Sequence, residues 1–165
     1  MDVRIPIEVA EALRGGVVIP ASPLALNSRR RWDPGRQRAL WRYYAAAGAG
    51  GIAVGVHTTQ FAIRDPKIGL LEPLYRFAAE ELDRLDVGRE TPLVRVAGIC
   101  GRTEQAVPEA ELAHQCRFHV GLLSLGALQD AELPVLLEHC RQVARVLPIF
   151  GFHLQPAVGG RVLPY

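Results

Sequence analysis

Apolar residues along the 165-residue chain fall into two alternating patterns. Short runs that are apolar at nearly every position, bounded by Gly or Pro, read as buried strands; longer stretches with apolar residues three and four apart read as helices. Ile7 to Leu13 is a short amphipathic helix, followed by Gly15-Gly16 and a first buried strand, Val17-Val18-Ile19-Pro20. Asp33-Pro34 puts a side-chain acceptor at a cap and a ring at the first helical position, opening a helix through Leu40, Trp41 and Tyr44 that stops at Gly48. Ile52 to Val56 is the second strand. Leu71 to Leu85 sets Leu74, Phe77, Ala78, Leu82 and Leu85 on one face, with Glu80, Glu81, Asp83 and Arg84 largely on the other, an outer helix. Then follow a strand from Leu93 to Ala97, a helix capped by Thr103 through Ala113, and a strand from Phe118 to Leu125. A helix capped by Asp130 runs to about Val146, and Pro148 to Leu154 is the fifth strand.

Strands that are apolar on nearly every residue need both faces covered, and consecutive parallel strands need helical crossovers. The class is therefore α/β with a parallel sheet. A complete (β/α)8 barrel takes about 250 residues, so the pattern predicts either an open sheet or an incomplete barrel of about five strands, in a single domain over residues 1–165.

Composition narrows the setting. With 49% apolar and 22% charged residues and a net charge of +2, the chain is a soluble folded domain rather than a disordered segment or coiled coil. The longest weakly polar run, Ala45 to Val56, is Gly/Ala-rich and shorter than the roughly 20 residues of a membrane helix. Charges at Asp2, Arg4, Glu8, Glu11 and Arg14 interrupt any signal-peptide core. Cys100, Cys116 and Cys140 form no C-x-x-C pair, which predicts reduced, mostly buried thiols and a cytoplasmic protein. Of nineteen basic residues only Lys67 is a lysine, so lysine chemistry has one side-chain candidate here.

Several motifs carry less than they first suggest. Gly48 to Gly55 is glycine-rich, but these glycines end a helix and enter a strand, the reverse of a nucleotide loop, and read as a helix C-cap. Arg29-Arg30-Arg31-Trp32 with Arg36, Arg38, Trp41, Arg42, Tyr43 and Tyr44 interleaves cations and aromatics, yet the small net charge argues for a solvated helix face or subunit contact and no nucleic-acid partner. His114, Cys116, His119, His139 and Cys140 lack metal-ligand spacing and read as core thiols and partly exposed histidines, with no metal. His57-Thr58-Thr59-Gln60 is different. A polar quartet directly after a buried strand lies where α/β enzymes place reactive groups, and its hydroxyls and adjacent amides suit a carboxylate. His153-Leu154-Gln155-Pro156 ends the fifth strand in the same manner.

These segments resemble the N-terminal half of the dihydrodipicolinate synthase / N-acetylneuraminate lyase family. The likeness rests on Gly16-Val17-Val18-Ile19-Pro20-Ala21-Ser22-Pro23, the helix ending Ala47-Gly48-Ala49-Gly50-Gly51-Ile52, and His57-Thr58-Thr59-Gln60. The resemblance implies a (β/α)8 barrel, commonly a homo-oligomer, that joins a 2-oxo acid such as pyruvate to a lysine as a Schiff base and makes or breaks a carbon–carbon bond, or dehydrates a sugar acid. It implies Thr58 and Thr59 at the substrate carboxylate, Thr59 as a proton relay, and no cofactor; Gln60 joins them as a candidate substrate contact, and His153, in the turn where the family has its tyrosine, is a candidate catalytic proton carrier. The flanking family glycines and acid are His57, Gln60 and Phe61 here, and the family's tyrosine pair after the fourth strand is Ser124-Leu125-Gly126. The family's Schiff-base lysine lies on a sixth strand, absent from this chain, and Lys67, in the charged loop Arg64-Asp65-Pro66-Lys67, reads as a solvated surface residue. The expected function is an aldolase-type lyase inactive as this chain alone. The alternatives are a non-catalytic barrel-fragment binding or assembly module, and a metal-dependent aldolase or isomerase using the histidines.

Overall fold

In the computed structural model, which describes residues 4–152, four parallel strands form one sheet in chain order. Helix α1 (Ile7–Gly15) and α2 (Pro34–Ala46) precede β1 (Gly51–Val54); α3 (Leu71–Asp86), β2 (Val94–Ile99), α4 (Thr103–Gln115), β3 (Val120–Leu123), α5 (Leu133–Ala144) and β4 (Ile149–Phe150) follow. Each strand-to-strand crossover is a helix, the arrangement that a parallel ladder requires. The Asp33 cap is present: its side chain accepts from Arg36 N at 3.0 Å, with Pro34 in the first turn.

Alternation along the strands divides the interior in two. Ile52, Val54, Leu93, Ala97, Ile99 and Leu123 pack outward against α2 to α5, while Ala53, Val94, Val96, Leu122 and Phe150 face the other side. On that inner face lies α1, whose Val9 is fully buried, with Ala12 and Leu13 beside it. The first helix therefore covers part of the face that an incomplete barrel would otherwise leave bare. Along α3, Leu74, Tyr75, Ala78 and Leu82 are fully buried, each leucine stabilising the fold by about 2 kcal/mol.

Several expectations are corrected. The run 17–20 is no buried strand: Val18 is 74% exposed. The segment does lie along β1, where Val18 O accepts from Gly50 N, Pro20 O from Ala53 N, and Ser22 N donates to Ala53 O, but it is an outer edge with one side chain turned to solvent. Thr103 is not a cap; Arg102 holds that position, and the Thr103 hydroxyl shares a 2.9 Å hydrogen bond with His139 Nδ1. Asp130 sits in a turn and the last helix begins at Leu133 with Pro134 in its first turn, since the ring sets the helical start. Glu81 is not on a solvated face but 2% exposed, between Arg38 (2.8 Å) and Arg84. His139 is likewise buried rather than partly exposed. The end of the fifth predicted strand lies outside the described residues.

Beneath β2, Arg95 spans to α3 through Asp83 (2.8 Å) and Asp86 (2.7 Å). Its backbone N–H donates to His119 Nδ1 at 3.1 Å. Burial, and secondarily the Arg95 charge, push the His119 imidazole down to about 4, against an opposing pull from Asp86. A depressed folded value means that stability is fully present above the unfolded value near 6.5 and lost as pH falls through about 4. Acid unfolding between pH 6.5 and 4 is expected to weaken the fold by about 2 kcal/mol through this group, discounted for its partial exposure. His119→Gln should flatten that part of a urea-midpoint profile against pH; an unchanged profile would assign the acid sensitivity elsewhere.

Candidate functional site

A cavity of about 380 Å³ opens on the inner face at the C-terminal ends of the strands. Each wall comes from a strand end or the segment that follows it: Ala21 beyond the edge segment, Val56, His57, Thr58 and Phe61 beyond β1, Gly98 and Ile99 at the end of β2, Leu122 and Ser124 at and beyond the end of β3, and Phe152 beyond β4. This is the rim where parallel α/β folds collect reactive groups, because the loops there are free to vary above a rigid sheet.

The threonine loop is built from close backbone approach. After β1, Gly55 has φ +77, and a Cβ there would lie 2.6 Å from the Tyr75 hydroxyl. A Cβ at Gly98 would lie 2.3 Å from Gly55 O, so both glycines are needed for β1 and β2 to meet at this rim. The chain then forms a 3-10 turn over His57–Thr59 and a second over Phe61–Arg64.

Within the first turn the two threonines separate. Thr58 is exposed and lines the cavity, its hydroxyl 3.4 Å from Ser22 O. Thr59 is 1% exposed, and its hydroxyl donates to Ser22 O at 2.6 Å while accepting from Gly55 N at 3.0 Å. The Thr59 amide is also spent, donating to Val56 O. Thr59 therefore lies under the loop and Thr58 on it. Gln60 is exposed and outside the cavity lining; His153 lies outside the described residues. Lys67 is exposed and outside the lining as well.

Gln60 has φ +79 and ψ +117, a conformation that costs a residue with a Cβ on the order of 1–3 kcal/mol. Gln60→Gly is expected to raise folding stability by about 1 kcal/mol, the relief exceeding the added freedom of the unfolded chain. A lower urea midpoint in that variant would show the glutamine side chain outweighing its backbone strain.

Sequence reasoning did not assign the groups that hold this loop. Ser22, fully buried, is a junction: its Oγ accepts from Trp41 Nε1 (2.8 Å) and Gln37 Nε2 (3.1 Å), and its carbonyl receives both threonines. The second turn is held from below by Arg64, whose Nε donates to both Glu109 oxygens (2.9 and 3.0 Å) and whose Nη2 donates to Gly98 O (2.8 Å). Burial, the largest single cause, opposes the Arg64 charge, but Glu109, Tyr75 and Cys100 together outweigh it and the guanidinium value is raised. Tyr75 donates to the same Gly98 carbonyl at 2.6 Å, and burial pushes its phenol well up, so it stays protonated. Asp33-Pro34 fixes α2, and with it Gln37 and Trp41; that cap was the one local signal available. Arg64 and Glu109, 45 residues apart, offered none.

Among the described residues no three His, Cys, Asp or Glu side chains come together to hold a metal, and no helix is long and apolar enough to cross a membrane. All three cysteines are free; Cys116 is buried and the others half-buried.

No protein-family model and no curated protein matches the chain. Solved structures do. A prophage protein of the dihydrodipicolinic acid synthase family from E. coli K12, in complex with pyruvate, superposes with a TM-score of 0.70 at 18% identity over 88% of this chain and 46% of its own. Dihydrodipicolinate synthase from Agrobacterium tumefaciens gives 0.65 at 21% identity, covering 84% and 44%. The Bacillus anthracis synthase gives 0.66 at 17%, covering 81% and 44%. The chain has the fold of an incomplete parallel α/β barrel and spans under half the length of these structures.

Proposed function

We propose that this chain is the front portion of an aldolase-type lyase of the dihydrodipicolinate synthase family that handles a pyruvate-like 2-oxo acid. The observation that carries the reading is Thr58, opening on a cavity at the strand-end rim and backed by Ser22 and Thr59, in a fold shared with a pyruvate-bound protein. On binding, the Thr58 hydroxyl turns its one proton from Ser22 O to the substrate carboxylate, and Gln60, farther along the loop, is the other candidate contact. Thr59 holds the loop and, with His153, is this chain's candidate for passing a proton. The nucleophile is a lysine amine outside this chain: it attacks the C2 carbonyl, water leaves, and the resulting iminium accepts the electron pair of the carbon–carbon bond being cleaved, or supplies it through the enamine when a bond is formed. The working protein is a cytoplasmic homo-oligomer without a cofactor.

Titration with carbon-13 pyruvate tests the carboxylate contact. Thr58→Val is expected to weaken binding about tenfold, the value of one charge-assisted hydrogen bond, without loss of stability. Unchanged binding would remove the loop from the site. Borohydride with pyruvate is expected to leave no adduct on the folded chain, and a pyruvyl group on Lys67 would overturn the external nucleophile.

A second reading, a non-catalytic assembly module, draws support from Val18, 74% exposed on the outer edge segment. Self-association without pyruvate affinity, seen by sedimentation, would favour it.

A further inference from the structure

The cavity wall divides by chemistry. Thr58 and Ser124 bring hydroxyls, His57 an imidazole, and the other lining side chains are hydrocarbon, Phe61 and Phe152 the aromatic ones. No Lys, Arg, Asp or Glu lines it among the described residues. A tail rich in hydroxyls, or a second carboxylate, would lose its water against this wall without gaining partners. The volume, about 380 Å³, is of the size that holds a drug-sized ligand and exceeds what a three-carbon acid fills. Ser124 is short and its Oγ accepts from Gly126 N at 3.3 Å, which turns its polarity toward backbone.

Phe61 is fixed on two sides. It meets His57 edge to face, with ring centroids 5.7 Å apart, and the Arg64 guanidinium lies 5.6 Å from its centroid. Arg64 is itself immobilised by Glu109. The ring is nonetheless 42% exposed at the cavity.

We infer that the site selects a 2-oxo acid whose tail is bulky and apolar, an aryl or branched alkyl group packed on Phe61 while the carboxylate sits at Thr58; this rests on the proposed 2-oxo acid reading. Titrating the chain with pyruvate, phenylpyruvate and 3-phenylpropionate, followed by NMR line shape, tests it. Phenylpyruvate is expected to bind at least about tenfold more tightly than pyruvate, as burial of part of a phenyl ring provides. Phe61→Ala should abolish most of that advantage, with Phe61→Leu between; thermal melting verifies that each variant is folded. Pyruvate binding as tightly as phenylpyruvate overturns the selection and leaves the proposed function standing. 3-Phenylpropionate equal to phenylpyruvate keeps the apolar selection, the carbonyl being read by the lysine outside this chain, and 3-phenylpropionate binding more tightly than phenylpyruvate overturns the 2-oxo acid reading. No binding by any of the three overturns both, and an advantage that survives Phe61→Ala overturns the assignment of Phe61.

Discussion

Replacing Glu109 by alanine is expected to lower folding stability by on the order of 3–5 kcal/mol, a third or more of what a domain of this size commonly has. The carboxylate accepts twice from Arg64 Nε, once from Gln105 Nε2 at 2.7 Å and once from Cys100 N at 3.2 Å. Without it the Arg64 guanidinium, whose side chain is 8% exposed, keeps Gly98 O as its hydrogen-bond acceptor, and Nη1 already lacks one. A buried cation stripped of its counter-charge is the costly case; a buried pair replaced on both sides is not. Arg64→Met/Glu109→Leu should therefore recover most of the loss, the desolvation and attraction of the native pair having nearly offset each other. Equilibrium urea unfolding measures both variants. A loss below about 1 kcal/mol for Glu109→Ala would mean that water reaches Arg64 and the pair behaves as a surface bridge. Because Arg64 ends the turn that Phe61 begins, the single variant should also blunt any preference for aryl tails.

Local signals in the sequence were enough for the helices, the parallel class of the sheet and the position of the polar loop. Helical and strand periodicity, Asp33-Pro34 and the glycines at the end of α2 act within a few residues, so they can be read without knowing the partner. The errors fall where a distant residue decides. Val17 to Ile19 is as apolar as the inner strands, but its place at the sheet edge turns Val18 outward. Thr103 fits a cap until His139 takes its hydroxyl, and Glu81 fits a solvated face until Arg38 reaches it from α2. At the site, the adjacent threonines are identical in composition and separated only by the fold: Ser22, 37 residues before Thr59, draws one side chain inward.

That separation gives the second large effect. Thr59→Val is nearly isosteric, yet it is expected to cost about 2–3 kcal/mol, because Gly55 N loses its acceptor and Ser22 O its 2.6 Å donor in a buried place. Ser22 O retains only the longer contact from Thr58, 3.4 Å, as a side-chain donor. Thr59→Ser keeps the hydroxyl and should lose about 1 kcal/mol, the buried methyl. Ligand binding distinguishes the two positions. Thr58→Val should weaken pyruvate binding with stability intact, since Thr58 is exposed, whereas Thr59→Val should lose stability first and binding as a consequence, with the same variant rescued in both respects by serine. If Thr59→Val instead keeps full stability and loses binding, Thr59 turns toward substrate in solution. Ser22 then holds the loop through Thr58 alone.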